Sequence, residues 1–400
     1  MRRGFFLRLA RVLAVPQTLF WVYVVASAAV AVHRYVQPVQ HGWTGYNNFL
    51  IFRESFFHLI RGLNLYVPYP EAHQDVFKYS PTFAMFMAPW ALLPDLPGVV
   101  LWNVFNGVMV FFALRRLAGM AYPAKAAVLW LVLVEALTSA FQTQTNGMIA
   151  ALMIMCYNSA ERGGFRRASF WAAAAGFVKI FGGVAGLLLL LYPQRFRGVI
   201  WGVFWSLVLL FLPLLIISPA ELAGQYAGWQ KIIGVDYQST GYISAIGMVE
   251  MWVGNALPGK HRLFVQIAAL GILLLPALLR PEMCRRRSFR LTYLAATLMW
   301  VILFNHRSES PTYVVAVCGA SIAYFALPRR TPLLTALLVL MMILTVLSPT
   351  DVFPRALREA YVYPYGLKAL PVTLIWIYVM GAMFGLDFPE SDDSPRLQAY

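Results

Sequence analysis

The chain has 400 residues, 60% of them hydrophobic and 12% charged, with a mean hydropathy of +0.65. Its apolar runs follow one another without a long polar block, which excludes a soluble enzyme and predicts one all-α, polytopic membrane domain over residues 1–400. The net charge of +15 comes largely from arginines in short loops between those runs, so it points to membrane lipids and not to nucleic acid.

In chain order, a basic start, "MRRGFFLRLAR", precedes an apolar run from Val12 to Val32, predicted as a retained first span (1–32) with its N-terminus cytoplasmic. Residues 33–80 form an outer loop. Within it, "YNNFLIFRESFFHLIRGLNLY" places Phe49, Phe52, Phe56, Leu59, Ile60 and Leu63 on one helical arc, an amphipathic helix lying flat on the membrane. Asn47 or Asn48 is placed to cap its first turn and Gly62 to end it, with Glu54, His58 and Arg61 on its polar side.

The remaining spans occupy 81–386, and a cytoplasmic tail 387–400. Two segments resist counting as crossings. Pro81 to Pro94 would reach only ~21 Å as a helix against ~30 Å of hydrocarbon. Ala168 to Pro193 is interrupted by Lys179 and "FGG", as two half-helices that dip in and return would be. If both are partial, the basic loops Arg115 to Lys125, Glu161 to Arg167, Arg280 to Arg290 and Pro328 to Arg330 all face inward, and roughly ten to twelve crossings leave both ends cytoplasmic. The long loop from Glu221 to Lys260, rich in Tyr, Trp and Gln, faces out. It suits either an interfacial belt or stacking on sugar rings, with Asp236 and Glu250 as further acids.

Polar residues gather at the outward ends: Gln142, Gln144 and Asn146 in "QTQTN", Lys179, and His306, Arg307 and Glu309 in "NHRSESP". An ammonium at membrane depth costs about 2.5–3.5 kcal/mol on insertion scales, so Lys179 needs a partner, Glu135 or a phosphate, or a wet cavity. "QTQTN" reads equally as a capped polar turn. The cysteines Cys156, Cys284 and Cys318 lack metal-site or disulfide spacing, and no metal is expected.

The order of an amphipathic helix ending "GLNLY", then "YSP" entering an apolar segment, then "QTQTN", then "AAAAGFVKIFGG" before a basic loop resembles the family 87 glycosyltransferases of the C-type superfamily. The resemblance implies C-type architecture, with amphipathic juxtamembrane helices on the outer face. It also implies transfer of a hexose, mannose or a relative, from a polyprenyl-phosphate donor to a glycan or glycolipid acceptor at the extracytoplasmic face, in a membrane such as the bacterial inner membrane. The expected chemistry is inverting and metal-independent, with no cofactor. The family's acidic residue, however, falls on Asn48, an amide that accepts no proton. Glu309 and Asp75, then Glu54, are the candidate bases; Asn47, Asn48, Tyr79, Gln144, Asn146, Lys179, His306 and Arg307 are the candidate binding residues. Two alternatives use the same features: a catalytically inactive binding or assembly subunit, and a lipid-linked sugar flippase.

Overall fold

A computed structural model describes residues 15–39, 42–237 and 243–389. The basic start, the tail beyond Pro389 and the side chain of Asp236 lie outside the described residues.

Among the described residues, five helices of 20 or 21 residues are long and apolar enough to cross a membrane: Pro16–Val36, Asp95–Arg115, Tyr122–Phe141, Arg195–Leu215 and Gly259–Leu279. At 1.5 Å per residue each spans about 30 Å. Asn146–Ala160, Arg287–Leu303 and Tyr313–Ala326 are shorter and almost wholly buried, so they form the centre of the bundle. Arg195–Phe211 buries only Gly198 and Leu209; its apolar side chains point outward, as a lipid-facing helix requires. The chain is an integral, all-helical membrane protein.

The bundle has two chemically distinct ends. At one, Glu161 receives hydrogen bonds from Arg287 Nε (3.0 Å), Arg290 Nε (2.5 Å) and Tyr192 Oη (2.7 Å). There Arg162 donates to the Arg116 carbonyl, and Arg280 to the carbonyls of Met383, Phe384 and Leu386. The basic loops 115–125, 161–167 and 280–290 therefore share one end. At the other end, Arg34 lies 4.2 Å from the centre of the Phe141 ring, and Trp102 Nε1 donates to the Thr143 carbonyl (2.9 Å).

This shared basic end follows from the two short segments. Pro81–Phe86 and Ala88–Ala91 are helical fragments, too short to cross. Phe165–Val178 and the 3₁₀ segment Ile180–Leu191 form a hairpin, with extended Lys179 at its tip. A Cβ on Gly182 would sit 2.7 Å from the Ala175 carbonyl oxygen, and one on Gly176 would sit 3.2 Å from Gly183 Cα. "FGG" is thus what lets the two arms close.

The surface helix, Asn47–Ile60, ends as the sequence predicts. Gly62 is left-handed (φ 66°), with Gly62 N donating to Leu59 O and Leu63 N to His58 O, the Schellman pattern. Its start differs from the expectation, because neither Asn47 nor Asn48 caps the helix. Asn47 instead exchanges two hydrogen bonds with the backbone of Gln74 (2.8 and 3.0 Å), and Phe49 N is satisfied by Thr143 Oγ1 from "QTQTN" (3.2 Å). The buried face also turns toward His58: Phe49, Ile51, Phe52, Ser55, His58 and Leu59 pack inward, whereas Ile60 and Leu63 are 45% and 41% exposed. His58 does not join Glu54 and Arg61 on a polar side. It stacks on Tyr69, ring centroids 3.8 Å apart, because the loop folds back over the helix.

Candidate active site

At the end opposite the basic loops, a cavity of about 460 Å³ opens beneath the surface helix. Several elements supply its polar groups. The surface helix brings Asn48, the outer loop Asp75, Lys78 and Tyr79, the hairpin tip Lys179 with Gln144 beside it, and the 305–309 loop Asn305, His306, Arg307 and Glu309. Phe52, Phe181, Val184, Trp300 and Phe304 make up much of the apolar wall.

"QTQTN" organises this region as a tertiary clamp. Thr143 is left-handed (φ 47°), uncommon for a β-branched residue and sustained only where surroundings enforce it. Here Asn48 Nδ2 donates to the Gln142 carbonyl (2.8 Å), and Trp102 and Phe49 hold Thr143 itself. Tyr79 Oη donates to Gln144 Oε1 (3.2 Å). Burial holds the Tyr79 phenol well above its usual range, so it stays a neutral donor. Asn48 lines the cavity with its amide nitrogen spent on Gln142, and its Oδ1 is left without a hydrogen bond among the described residues.

Lys179 Nζ donates to Asn146 Oδ1 (2.7 Å) and lies 5.6 and 5.8 Å from the Tyr79 and Phe181 ring centres. Glu135, one of the partners open to Lys179, is taken instead by Lys368 (2.7 Å). Lys179 is thus held by a neutral amide, which fixes the ammonium without cancelling its charge.

The three candidate bases separate. Glu309 is exposed at the cavity, and among the described residues its carboxylate makes no hydrogen bond or ion pair; its field and that of Arg307 both reach Lys179. Asp75 also lines the cavity, but both its oxygens are engaged, by Val76 N (2.7 Å) and Lys78 Nζ (3.0 Å). Its left-handed backbone (φ 70°) is held by the His73 ring donating to its carbonyl (3.1 Å), a strain worth about 1–3 kcal/mol. Glu54 lies outside the cavity, 3.8 Å from Arg53, which is itself bound to Asp95.

Asn47 and Asn146 are outside the lining too, and act behind it: Asn47 ties down the loop that carries Asp75, and Asn146 holds Lys179. Of the later acids, Glu250 is locked in a buried ion pair with Arg262 (2.8 Å). Sequence reasoning missed Lys78, Trp229, Gln266 and Asn305. Trp229 had a signal in the aromatic outer loop. Its indole donates to the Lys78 carbonyl (3.1 Å) at the cavity edge, whereas Trp252 of the same loop bonds the Tyr365 carbonyl away from it.

Two histidines near this end are neutral at pH 7. His306 is held at about 4 by burial, then by Arg307 and Arg262. His58 is held at about 4 by burial, then by His73 and Arg61. Both sit below the ordinary 6.5, so between pH 6.5 and 4 the unfolded chain binds protons that the fold refuses. Stability is therefore present above about pH 6.5 and lost as pH falls toward 4. Melting of the detergent-solubilised protein should show a plateau above pH 7 and a fall below 6.5, shallower in His58→Phe, which keeps a ring on Tyr69. An identical pH curve for the variant would remove His58 from this account.

A polytopic helical bundle with a polar cavity beneath an amphipathic helix defines an integral membrane protein. Residues 77–305, more than half of the chain, match the model for Glycosyltransferase family 87. The chain belongs to that family and is a membrane glycosyltransferase. Tyr79, Gln144, Asn146 and Lys179 fall inside the match; Asn47, Asn48, Glu54 and Asp75 precede it, and His306, Arg307 and Glu309 follow it. Among solved structures, the chain is similar to ArnT from Cupriavidus metallidurans bound to undecaprenyl phosphate, at 16% identity and a TM-score of 0.44 over 92% of this chain and 76% of that one. No curated protein matches the sequence.

Proposed function

We propose that the chain transfers a hexose from a polyprenyl-phosphate donor to an acceptor hydroxyl, with Glu309 as general base and Lys179 meeting the donor phosphate. One observation carries this reading. Glu309, whose carboxylate has no partner among the described residues, and Lys179, an ammonium held by a neutral amide, line the same cavity. The acceptor oxygen attacks the anomeric carbon as its proton passes to Glu309. The bond from that carbon to the phosphate oxygen breaks, and the polyprenyl phosphate leaves with the electron pair, its charge met by Lys179 with Arg307 adding positive potential. A single displacement of this kind inverts the anomeric centre, and the cationic side chains take the charge-neutralising role that a metal has in other transferases. A membrane-embedded donor suits a cavity with apolar walls within a helical bundle. Purified protein given a panel of polyprenyl-phosphate hexoses should release polyprenyl phosphate in step with acceptor glycosylation. Binding of a donor with no release under any acceptor would favour a silent binding subunit, the reading that Asn48 supports.

The excess of Arg and Lys at the other end supports a cytoplasmic location for that end and an outward-facing cavity. In a cysteine-free background, Arg115→Cys and Arg167→Cys should resist a membrane-impermeant thiol reagent in intact cells, whereas Val352→Cys, at an 80% exposed position, should react. Labelling of the first pair from outside would invert the assignment.

A further inference from the structure

A second ionic cluster lies beyond the cavity lining. Glu135, in Tyr122–Phe141, is fully buried, and so, almost, is Lys368 from the other side of the bundle. The Lys368 ammonium donates to Glu135 Oε1 (2.7 Å) and to Ser310 Oγ (2.9 Å), and lies 5.1 Å from the Tyr313 ring centre. Its backbone is fixed in turn, since the buried Thr345 hydroxyl donates to the Lys368 carbonyl (2.7 Å). Ser310 directly follows Glu309. It opens the turn Ser310–Thr312, which is closed by Thr312 N and Oγ1 donating to the Glu309 carbonyl (3.0 and 2.7 Å). Removing both charges from water costs several kcal/mol per ion, so a buried pair is a poor device for stability alone. What this one adds is a third contact, onto the residue beside the candidate base.

We propose that Lys368, locked by Glu135, is a positioning residue for the reaction: through Ser310 it sets the direction in which Glu309 enters the cavity. This rests on Glu309 being the base. Glu135, on the helix Tyr122–Phe141, and Lys368, in the turn before Leu370–Gly385, both lie outside the cavity lining, so the pair can hold the loop without touching substrate. Ser310 is the weak link to cut, because Ser310→Ala leaves the Glu135–Lys368 pair intact. Lys368→Met alone would strand a buried carboxylate and threaten the fold.

The test is a double-mutant cycle on the purified full-length protein, assayed with a polyprenyl-phosphate hexose. Ser310→Ala should lower kcat roughly 10- to 100-fold, the effect of a small misplacement, with donor KM and melting temperature unchanged. Ser310→Thr, which keeps the hydroxyl, should restore most of the loss. In a Glu309→Gln background, Ser310→Ala should cost nothing further, because there is no base left to aim. Glu135→Leu with Lys368→Met removes both charges together and should reproduce the Ser310→Ala loss in a folded protein. Equal losses from Ser310→Ala with and without Glu309, or no loss at all, would overturn the positioning role while the base stood. A silent Glu309→Gln would instead overturn the base, and the positioning role with it, so the two failures are told apart by which variant is silent.

Discussion

Glu309→Gln is expected to lower turnover about 10²- to 10⁴-fold, the usual worth of a general base, while donor binding stays close to that of the native chain. The amide keeps the size and hydrogen-bonding reach of the side chain but accepts no proton. The effect should therefore fall on kcat, since the proton moves only in the transition state. Asp75→Asn should cost far less, because Val76 N and Lys78 already occupy that carboxylate. Glu54→Gln should be nearly silent, since Glu54 does not line the cavity. The same assay weighs Asn48. An acid there, Asn48→Asp, would stand in the cavity with its second oxygen facing the Gln142 carbonyl now bonded by the amide (2.8 Å). In an active native enzyme that repulsion should cost activity. If Asn48→Asp raised turnover sharply while Glu309→Gln and Asp75→Asn did nothing, the native chain would be a silent subunit lacking only its proton acceptor.

Much of the architecture is legible in the sequence because it is written in local terms. Length against bilayer thickness identifies Pro81 to Pro94 as too short to cross, and the Lys179 break followed by "FGG" identifies the hairpin. Gly62 stops the surface helix because only glycine takes φ 66° without cost. What the sequence hides are pairings across large separations. Lys179 with Asn146, Lys368 with Glu135 and Phe49 N with Thr143 join residues 33, 233 and 94 positions apart. No periodicity signals such contacts. The ammonium at 179 plainly demands a partner, but choosing Asn146 over Glu135 requires knowing that helix 122–141 turns Glu135 toward residue 368. His58 misleads for the same reason: its spacing from Glu54 fits a charged face, yet Tyr69 in the returning loop covers it.

The difference between the two lysine partners leads to the second large effect. Lys368 faces a carboxylate and is neutralised; Lys179 faces an amide, which leaves its charge uncancelled. Lys179→Met should weaken binding of a polyprenyl-phosphate hexose roughly 10- to 100-fold, since a hydrogen bond to a charged group is worth about 1.5–3 kcal/mol. The loss should grow at low ionic strength and shrink in high salt. Asn146→Asp makes the sharper comparison. It leaves Lys179 in place at the same 2.7 Å reach but sets a full negative charge against it, so donor affinity should fall as it does for Lys179→Met while the fold gains an ion pair. A lysine that merely plugs the hairpin tip would gain the same ion pair in Asn146→Asp but leave donor affinity untouched. Measuring donor binding and melting temperature on the two variants side by side therefore separates a phosphate ligand from a structural plug: falling affinity in both assigns Lys179 to the donor, and unchanged affinity in both returns it to the scaffold.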